Sequence, residues 1–502
     1  METLRLKNYR CFDDTKEIAI KPLTLLLGSN SSGKSSFLKF FPLLKQSVGL
    51  RRNGSFLWMA NDVDFKDFGN TVKDGNGNIT IVFSFKNFAV HSHYPFDVEQ
   101  KEQGPTIHVK VIIAPKDKEG SYDYVREIQI EFYDQIIRVF IKKNGKGSVE
   151  VNGVKNGDEL IDCLVIPGAE LLPELLYSNG NSSNGWTRSN VWARNKISDI
   201  IGKEKGLFSK YRYEDFRYPN LISKKEFFSL VKEQHKRLNT EQLKQLNDYY
   251  YFTHINNIID GINDGIMSLC YNMSYVKPLR ATTERYYRYQ NYAIDEIDSD
   301  GKNLAMYLAN LSETNRKSFS EWLQELFGFS LEVRPTEGHV VIDVIEKGKP
   351  KRNLVDVGFG YTQILPVVAI IWKALDVDSN RSFHSWLYDT KQYMVVIEQP
   401  ELHLHPRMQG KFAEMLLKVL LSAKNKNRDL RFVIETHSEV IINKIGELIA
   451  TEFKDSLISA EDTNIVLFNV KGTNKGYVET TSYNSDGSLK YWPLGFLSSY
   501  AD

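Results

Sequence analysis

Residues 22–35 read Pro22-Leu-Thr-Leu-Leu-Leu-Gly28-Ser29-Asn30-Ser31-Ser32-Gly33-Lys34-Ser35, and this stretch decides the fold. The apolar run after Pro22 suits a strand buried on both faces. Gly28 to Ser35 satisfy the pattern G-x-x-x-x-G-K-[ST] at every position. An apolar-rich helix is expected over 35–44, so strand, Gly-rich loop and helix follow in order. The spacing has a chemical reason. The glycines let the backbone curl into a concave nest of N–H groups around phosphates. The helix start points its positive end at the same anion. Lys34 reaches the β- and γ-phosphates and the Ser35 hydroxyl ligates Mg2+. Ser36, next in the helix start, is counted with this site. ATP and Mg2+ are the expected ligands.

Upstream, Leu4 and Leu6 alternate with charged residues, as in a half-buried strand. Downstream, Ile79-Thr-Ile-Val-Phe-Ser-Phe85, Thr106-Ile-His-Val-Lys-Val-Ile-Ile113 and Glu127-Ile-Gln-Ile-Glu-Phe-Tyr133 alternate apolar and polar. Turn-like pieces such as Asp74-Gly-Asn-Gly77 and Lys143-Asn-Gly-Lys-Gly147 flank them, which predicts an antiparallel meander over 78–151. Residues 178–185 read as a loop or linker. Residues 224–262 have helical spacing, with solvated charged faces. Strand–helix alternation returns after residue 330, with strands over 340–345, 393–397 and 430–434 and helices over 362–374, 408–421 and 439–451. The last fifty residues look strand-rich. The expected class is α/β: a P-loop head with an antiparallel β subdomain and a helical insertion. The boundaries expected are 1–165, 166–272 (the insertion), 273–450 and 451–502.

The chain has 502 residues, room for about two to four domains. Hydrophobic residues make up 42% and charged residues 25%, which excludes a disordered or fibrous chain. Lys+Arg (64) nearly cancels Asp+Glu (63), which speaks against a polyanion-coating protein but allows a local basic surface. Cys11, Cys163 and Cys270 are spread too far apart for a zinc site or a disulfide framework. The apolar run 364–371 is far short of the ~20 residues a membrane helix needs. The start of the chain does not resemble a secretory signal. A cytoplasmic protein with no membrane contact is expected.

A phosphate loop needs a second strand that delivers an acid to Mg2+ and a group that orients the attacking water. The apolar run 393–397 ends in Glu398-Gln399-Pro-Glu401, followed by Leu-His403-Leu-His405-Pro406. Four apolar residues ending in a carboxylate make Glu398 the candidate Mg2+ partner. The usual order is Asp then Glu; here Gln399 takes the second place. A glutamine cannot act as a general base, although it can orient a water. Glu401 is the alternative base, and hydrolysis is expected to be slow or gated. His403 and His405 invite a metal reading, but no cluster completes a ligand set, and a structural turn is the favoured reading.

Phe432-Val-Ile-Glu-Thr-His-Ser438 places His437 at a strand end, where it can sense a γ-phosphate. Asp356-Val-Gly358-Phe-Gly360-Tyr-Thr-Gln363 opens a helix with a Gly-rich start, a second anion site. The chain's own loop already holds phosphates, so this second start suggests a partner subunit's nucleotide. Two chains would then sandwich two ATP molecules.

The order of these elements resembles ABC-type ATPases of the SMC/RecF group. The wording Leu6-Lys-Asn-Tyr-Arg-Cys-Phe12, Glu398-Gln-Pro-Glu-Leu-His-Leu-His-Pro406 and Glu435-Thr-His-Ser438 is similar to the OLD-like AAA ATPases of bacteria. These include ATPase subunits of Septu-type and retron-associated antiphage defence. Trp492-Pro-Leu-Gly-Phe496 resembles their short C-terminal domain. The resemblance covers 1–90 and 270–502 and says little of the middle. It makes His437 a switch histidine and 358–360 a signature-like loop, with Gly358 where a serine is usual. It makes Arg10 a basic residue approaching the phosphates. OLD nucleases carry a Toprim domain after the ATPase. About 60 residues follow His437, few for a domain, so no intrinsic nuclease is expected. The resemblance implies a homodimer or higher homo-oligomer that controls a separate effector, a nuclease. The alternative is a RecF/SMC-like DNA repair or recombination ATPase. A transporter subunit is disfavoured by the signature and the long insertion.

Lys277-Pro-Leu-Arg280 and Arg285-Tyr-Tyr-Arg288-Tyr289 interleave cations with aromatics. Such a stretch can contact DNA or RNA, cover a nucleotide or interface, or be plain structure. The three readings stay open at this level.

Overall fold

In the computed structural model the apolar run after Pro22 forms the strand Leu23–Gly28, and all six residues are buried. The structure describes residues 1–86, 104–117, 122–155, 163–166, 170–178, 186–187, 191–201, 227–229, 231–232, 238–280, 284–288, 294, 296–336, 338–375, 392–451, 458–471 and 475–491. The linker expected over 178–185 and the closing 492–496 therefore lie largely or wholly outside the described residues. The class is α/β, as expected.

The chain divides into two units, each discontinuous in sequence. One takes Met1–Tyr9, Gln46–Met59 and Phe65–Met267; the other takes Arg10–Lys45, Ala60–Asp64 and Ser268–Asp502. The segment expected as one N-terminal half, 1–165, is thus shared between them. The reason lies in strand pairing. Leu23–Gly28 pairs in parallel with Asp429–Glu435 on one side and Thr463–Lys471 on the other. Its neighbours come from the far end of the chain.

In the second unit the parallel order is Met273–Val276, Gln392–Glu398, Asp429–Glu435, Leu23–Gly28, Thr463–Lys471. Lys475–Thr481 adds an antiparallel edge, and Phe12 pairs with its Gly476. The registers align the strand ends. Val276 pairs with Ile397, Glu398 with Glu435, and Glu435 with Leu26. The carboxyl ends of four strands therefore form one edge beside the phosphate loop, the usual ligand crevice of an open parallel sheet.

Helices Phe359–Leu375, Pro406–Asn425 and Glu439–Ala450 supply the apolar layer against this sheet. Ile364, Val368, Leu416, Phe412 and Ile445 are fully buried with Leu25, Ile397 and Phe432. Each such side chain contributes roughly 2 kcal/mol by leaving water. Ser438 caps the helix Glu439–Ala450 by accepting from Ile441 N. A small antiparallel sheet joins Tyr287–Arg288, His339–Glu346, Phe329–Thr336 and Arg352–Asn353.

The first unit holds the meander: Thr3–Tyr9, Ile79–Phe85, Ile107–Pro115, Asp123–Phe132, Gln135–Ile141 and Lys146–Val151 pair in antiparallel series. The region expected as a helical insertion, 166–272, also continues the sheet. Glu174–Ser178 pairs with Cys163–Ile166 and with Trp186–Thr187. The expected helix over 224–262 appears as Thr240–Tyr271. Two asparagines on it, seven residues apart and so on one face, act as backbone surrogates. Asn256 accepts from Leu175 N (3.1 Å) and donates to Leu175 O (2.7 Å). Asn263 does the same for Leu172 (3.0 and 2.8 Å). Buried backbone groups left over by a short strand are thereby satisfied. Among the described residues, no helix is long and apolar enough to cross a membrane.

Candidate nucleotide site

The phosphate loop holds the conformation its glycines permit. Gly28 has φ 149° and Gly33 φ 105°, with Ser31 at φ 62°. A Cβ on Gly33 would stand 2.4 Å from the Phe12 ring, and one on Gly28 would stand 2.2 Å from the Phe468 carbonyl. Both glycines are therefore required by backbone angle and by space. Ser29, Asn30 and Ser31 are exposed, while Ser32 and Lys34 are buried. The expected helix over 35–44 is Lys34–Leu38 followed by Phe40–Ser47; Ser35 and Ser36 lie in the first of these. Lys34 Nζ donates to Gly28 O (2.9 Å) and Ser29 O (2.7 Å). Burial pulls its pKa down, against the opposing pull of Glu435 and Glu401.

Ser35 Oγ donates to Glu435 Oε1 at 2.8 Å. The sequence reading did not single out Glu435, although its signal was there. Phe432-Val-Ile-Glu435 repeats the pattern Val395-Val-Ile-Glu398: a buried run ending in an acid. The two acids are register partners on adjacent parallel strands. Burial pushes the Glu435 carboxyl up to about 7, with the neighbouring Glu398 charge adding to the shift. Burial raises Glu398 as well, and Tyr275 Oη donates to Glu398 Oε1 at 2.5 Å. Tyr275 is pushed far above the usual phenol range by burial and by Glu398.

The chemistry of this donor set fits Mg2+. One hydroxyl and two carboxyls stand beside a phosphate loop, and a hard cation takes such oxygens together with phosphate oxygens and water. Glu435 Oε2 and Ser32 Oγ are buried with no hydrogen-bond partner among the described residues. A nucleotide-bound cation and a phosphate would satisfy such groups.

Gln399 follows Glu398 in a left-handed conformation, φ 43°. Its N–H donates to Glu435 O at 2.8 Å, which continues the strand pairing one residue past the acid. Such a backbone strain is uncommon for a residue with a Cβ and sits at the site itself. Glu401 serves the switch segment: its Oε1 accepts from His437 N (2.7 Å) and its Oε2 from Thr436 Oγ1 (2.8 Å). Burial raises its pKa against those two bonds and Arg280. Burial and the Lys34 charge lower His437.

The two other histidines of the loop have structural contacts. His405 caps the helix Pro406–Asn425, accepting from Arg407 N at 3.2 Å. The His403 ring meets Phe359 edge-on at 4.9 Å. This contact brings the signature-like loop to the segment after Glu398. A Cβ on Gly360 would lie 3.3 Å from His403 O, whereas Gly358 faces open space. Arg10 has φ 54° in a turn whose next residue, Cys11, presses its sulfur against Gly33. The turn therefore abuts the phosphate loop.

The basic-aromatic stretch does not form one surface. Lys277 Nζ donates to Asn61 O (2.6 Å) and pairs with Asp62 (3.3 Å). Arg285 makes a two-pronged bond to Asp356 (2.7 and 3.1 Å). Tyr287–Arg288 is a sheet strand, and Tyr286 packs edge-on against His339. Tyr289 lies outside the described residues. Arg280 is 6% exposed, so it offers nothing to an external nucleic acid.

The family described as AAA ATPase domain matches residues 1–442. A curated relative, "Endonuclease GajA" from Bacillus cereus (strain HuB5-5), is 23% identical over 456 residues, which cover 88% of this chain and 56% of the relative. The chain thus spans about half the length of that relative. Among solved structures, the Smc head domain of Pyrococcus furiosus with an extended coiled coil, bound to the C-terminal domain of ScpA, is similar at 12% identity. Its TM-score is 0.34, over 96% of each chain. The SMC head domain from Thermotoga maritima is similar at 10% identity and TM-score 0.35, over 95% of this chain and 97% of that one.

Proposed function

The chain belongs to the AAA ATPase domain family, and from that premise we propose that it binds and hydrolyses ATP with Mg2+ at the loop 28–36. The carrying observation is the convergence of Lys34, Ser35, Glu398 and Glu435 at one sheet edge. In this reading the loop N–H groups and Lys34 hold the phosphates. Ser35, Glu398 and Glu435 hold Mg2+, which supplies charge stabilisation at the terminal phosphoryl group. Gln399 orients the attacking water, and His437 senses the γ-phosphate. Arg10 approaches the phosphates from the turn that abuts Gly33. Gly358 and Gly360 offer backbone N–H groups to a partner subunit's nucleotide, so that ATP holds two copies together.

The biological role we propose is that of an ABC-type ATPase subunit in antiphage defence, acting on a separate nuclease effector. Its support is the likeness of 398–406 and 435–438 to OLD-like ATPases and the endonuclease name of a relative. Native purification of the tagged chain from its host in ATP, read by mass spectrometry, tests this. A stoichiometric nuclease would support it. Deletion that left phage sensitivity unchanged, with recovery of repair proteins or DNA, would move the assignment to a RecF/SMC-like repair ATPase.

A further inference from the structure

Arg280 follows the strand Met273–Val276, whose last residue pairs with Ile397, one position before Glu398. It therefore stands at the same sheet edge as the phosphate loop. Its side chain is almost wholly enclosed, at 6% exposure. Among the described residues only Nη2 has a bond, a long one of 3.4 Å to the Glu398 carbonyl. Nε and Nη1 are buried with no hydrogen-bond partner among the described residues. A guanidinium cannot shed its charge, so an enclosed one without an anion is expensive.

No described carboxylate hydrogen-bonds the guanidinium, and the Glu401 charge reaches it only at longer range. Both oxygens of Glu401 are taken by Thr436 and His437, and Glu398 Oε1 is taken by Tyr275. Lys34 and Arg280 both lie within electrostatic reach of Glu401. Thr436 and His437, which Glu401 holds, follow directly on Glu435, the strand end bonded to Ser35 of the loop. Arginine matches phosphate oxygens with several donors at once.

We propose that Arg280 receives the terminal phosphate of the bound nucleoside triphosphate and makes the site distinguish triphosphate from diphosphate. This rests on the nucleotide-site reading above. The ligand completes the two open donors, so the stored cost of the buried cation is relieved only when the third phosphate is present. A diphosphate, held by the loop and Lys34, does not reach it.

The test measures equilibrium binding of a non-hydrolysable ATP analogue and of ADP, each with Mg2+, to the full chain and its variants. In Arg280→Ala, analogue affinity should fall about tenfold or more, the equivalent of about 1.4 kcal/mol, with ADP affinity within twofold of wild type. Lys34→Ala should weaken both ligands together. Arg280→Lys keeps the charge and the stem; its analogue-to-ADP preference should lie between wild type and alanine. Should the alanine variant fail to fold in a thermal melt, the lysine variant carries the comparison. An unchanged analogue-to-ADP ratio in whichever variant folds would overturn the assignment of Arg280 while leaving the nucleotide site standing. A wild-type chain that binds neither ligand would overturn both.

Discussion

Glu398 and Glu435 are register partners at the ends of adjacent parallel strands, both buried, one bonded to Tyr275 and the other to Ser35. Two carboxyls in this position resist ionising together, by desolvation and mutual repulsion. Their burial side by side costs stability in the ligand-free protein, and the cation of the proposed function would offset that cost.

That cost gives a pH dependence. Glu435 titrates near 7 in the folded chain against 4.5 when unperturbed. Between those values the folded state binds more protons than the unfolded one, so ligand-free stability falls as pH rises through this window. Glu435→Gln removes the ionisation. It should flatten that slope and raise the melting temperature at pH 8. Identical slopes for both proteins in melts from pH 5 to 8 would count against the shift. Mg2+ with nucleotide needs the ionised carboxyl, so its binding should release protons below pH 7 and tighten with pH up to that point.

Gln399→Glu places a carboxylate where the usual base stands. Steady-state ATP turnover should rise about tenfold, a fraction of the roughly 10²–10⁴-fold a positioned base contributes. An unchanged or lower rate would show that this position is not where the water is activated.

Glu401→Gln leaves one strong acceptor for two donors, Thr436 Oγ1 and His437 N. Losing one buried bond costs about 1–3 kcal/mol. Turnover should fall, as it should in His437→Ala, and the melting temperature should fall too. Lost turnover at unchanged stability would instead mark Glu401 as the base.

Lys34→Ala removes the ammonium that the loop carbonyls hold at 2.9 and 2.7 Å. Nucleotide affinity should drop about 100-fold or more, the equivalent of about 3 kcal/mol, the low end for two hydrogen bonds to a charged group. Full retention in a binding titration would undo the phosphate-loop assignment.

The antiparallel meander, the helices after residue 330 and the phosphate loop were legible because their signals are local. Alternation marks a strand within seven residues, and the loop's spacing is set by the size of a phosphate. The strands inside 166–272 escaped notice because short edge strands such as Trp186–Thr187 carry too few residues to show a period. Glu435 ends a strand patterned like the one before Glu398, and nothing local marks its approach to Ser35.

The sequence alone determined the α/β class, and it supplied the loop 28–35, the acid at 398 and the histidine at 437 from which the nucleotide-site proposal starts. Each follows from residue types at fixed short spacings. Only the tertiary structure decided which strand lies beside which. That order places Glu435 against Ser35, 400 residues away, and Tyr275 against Glu398, 123 residues away. It also turned Arg280 from one cation in a basic-aromatic stretch into an enclosed group at the sheet edge. Parallel pairing joins distant segments through backbone hydrogen bonds that any residue can make, so strand order leaves no local mark on the side chains it brings together.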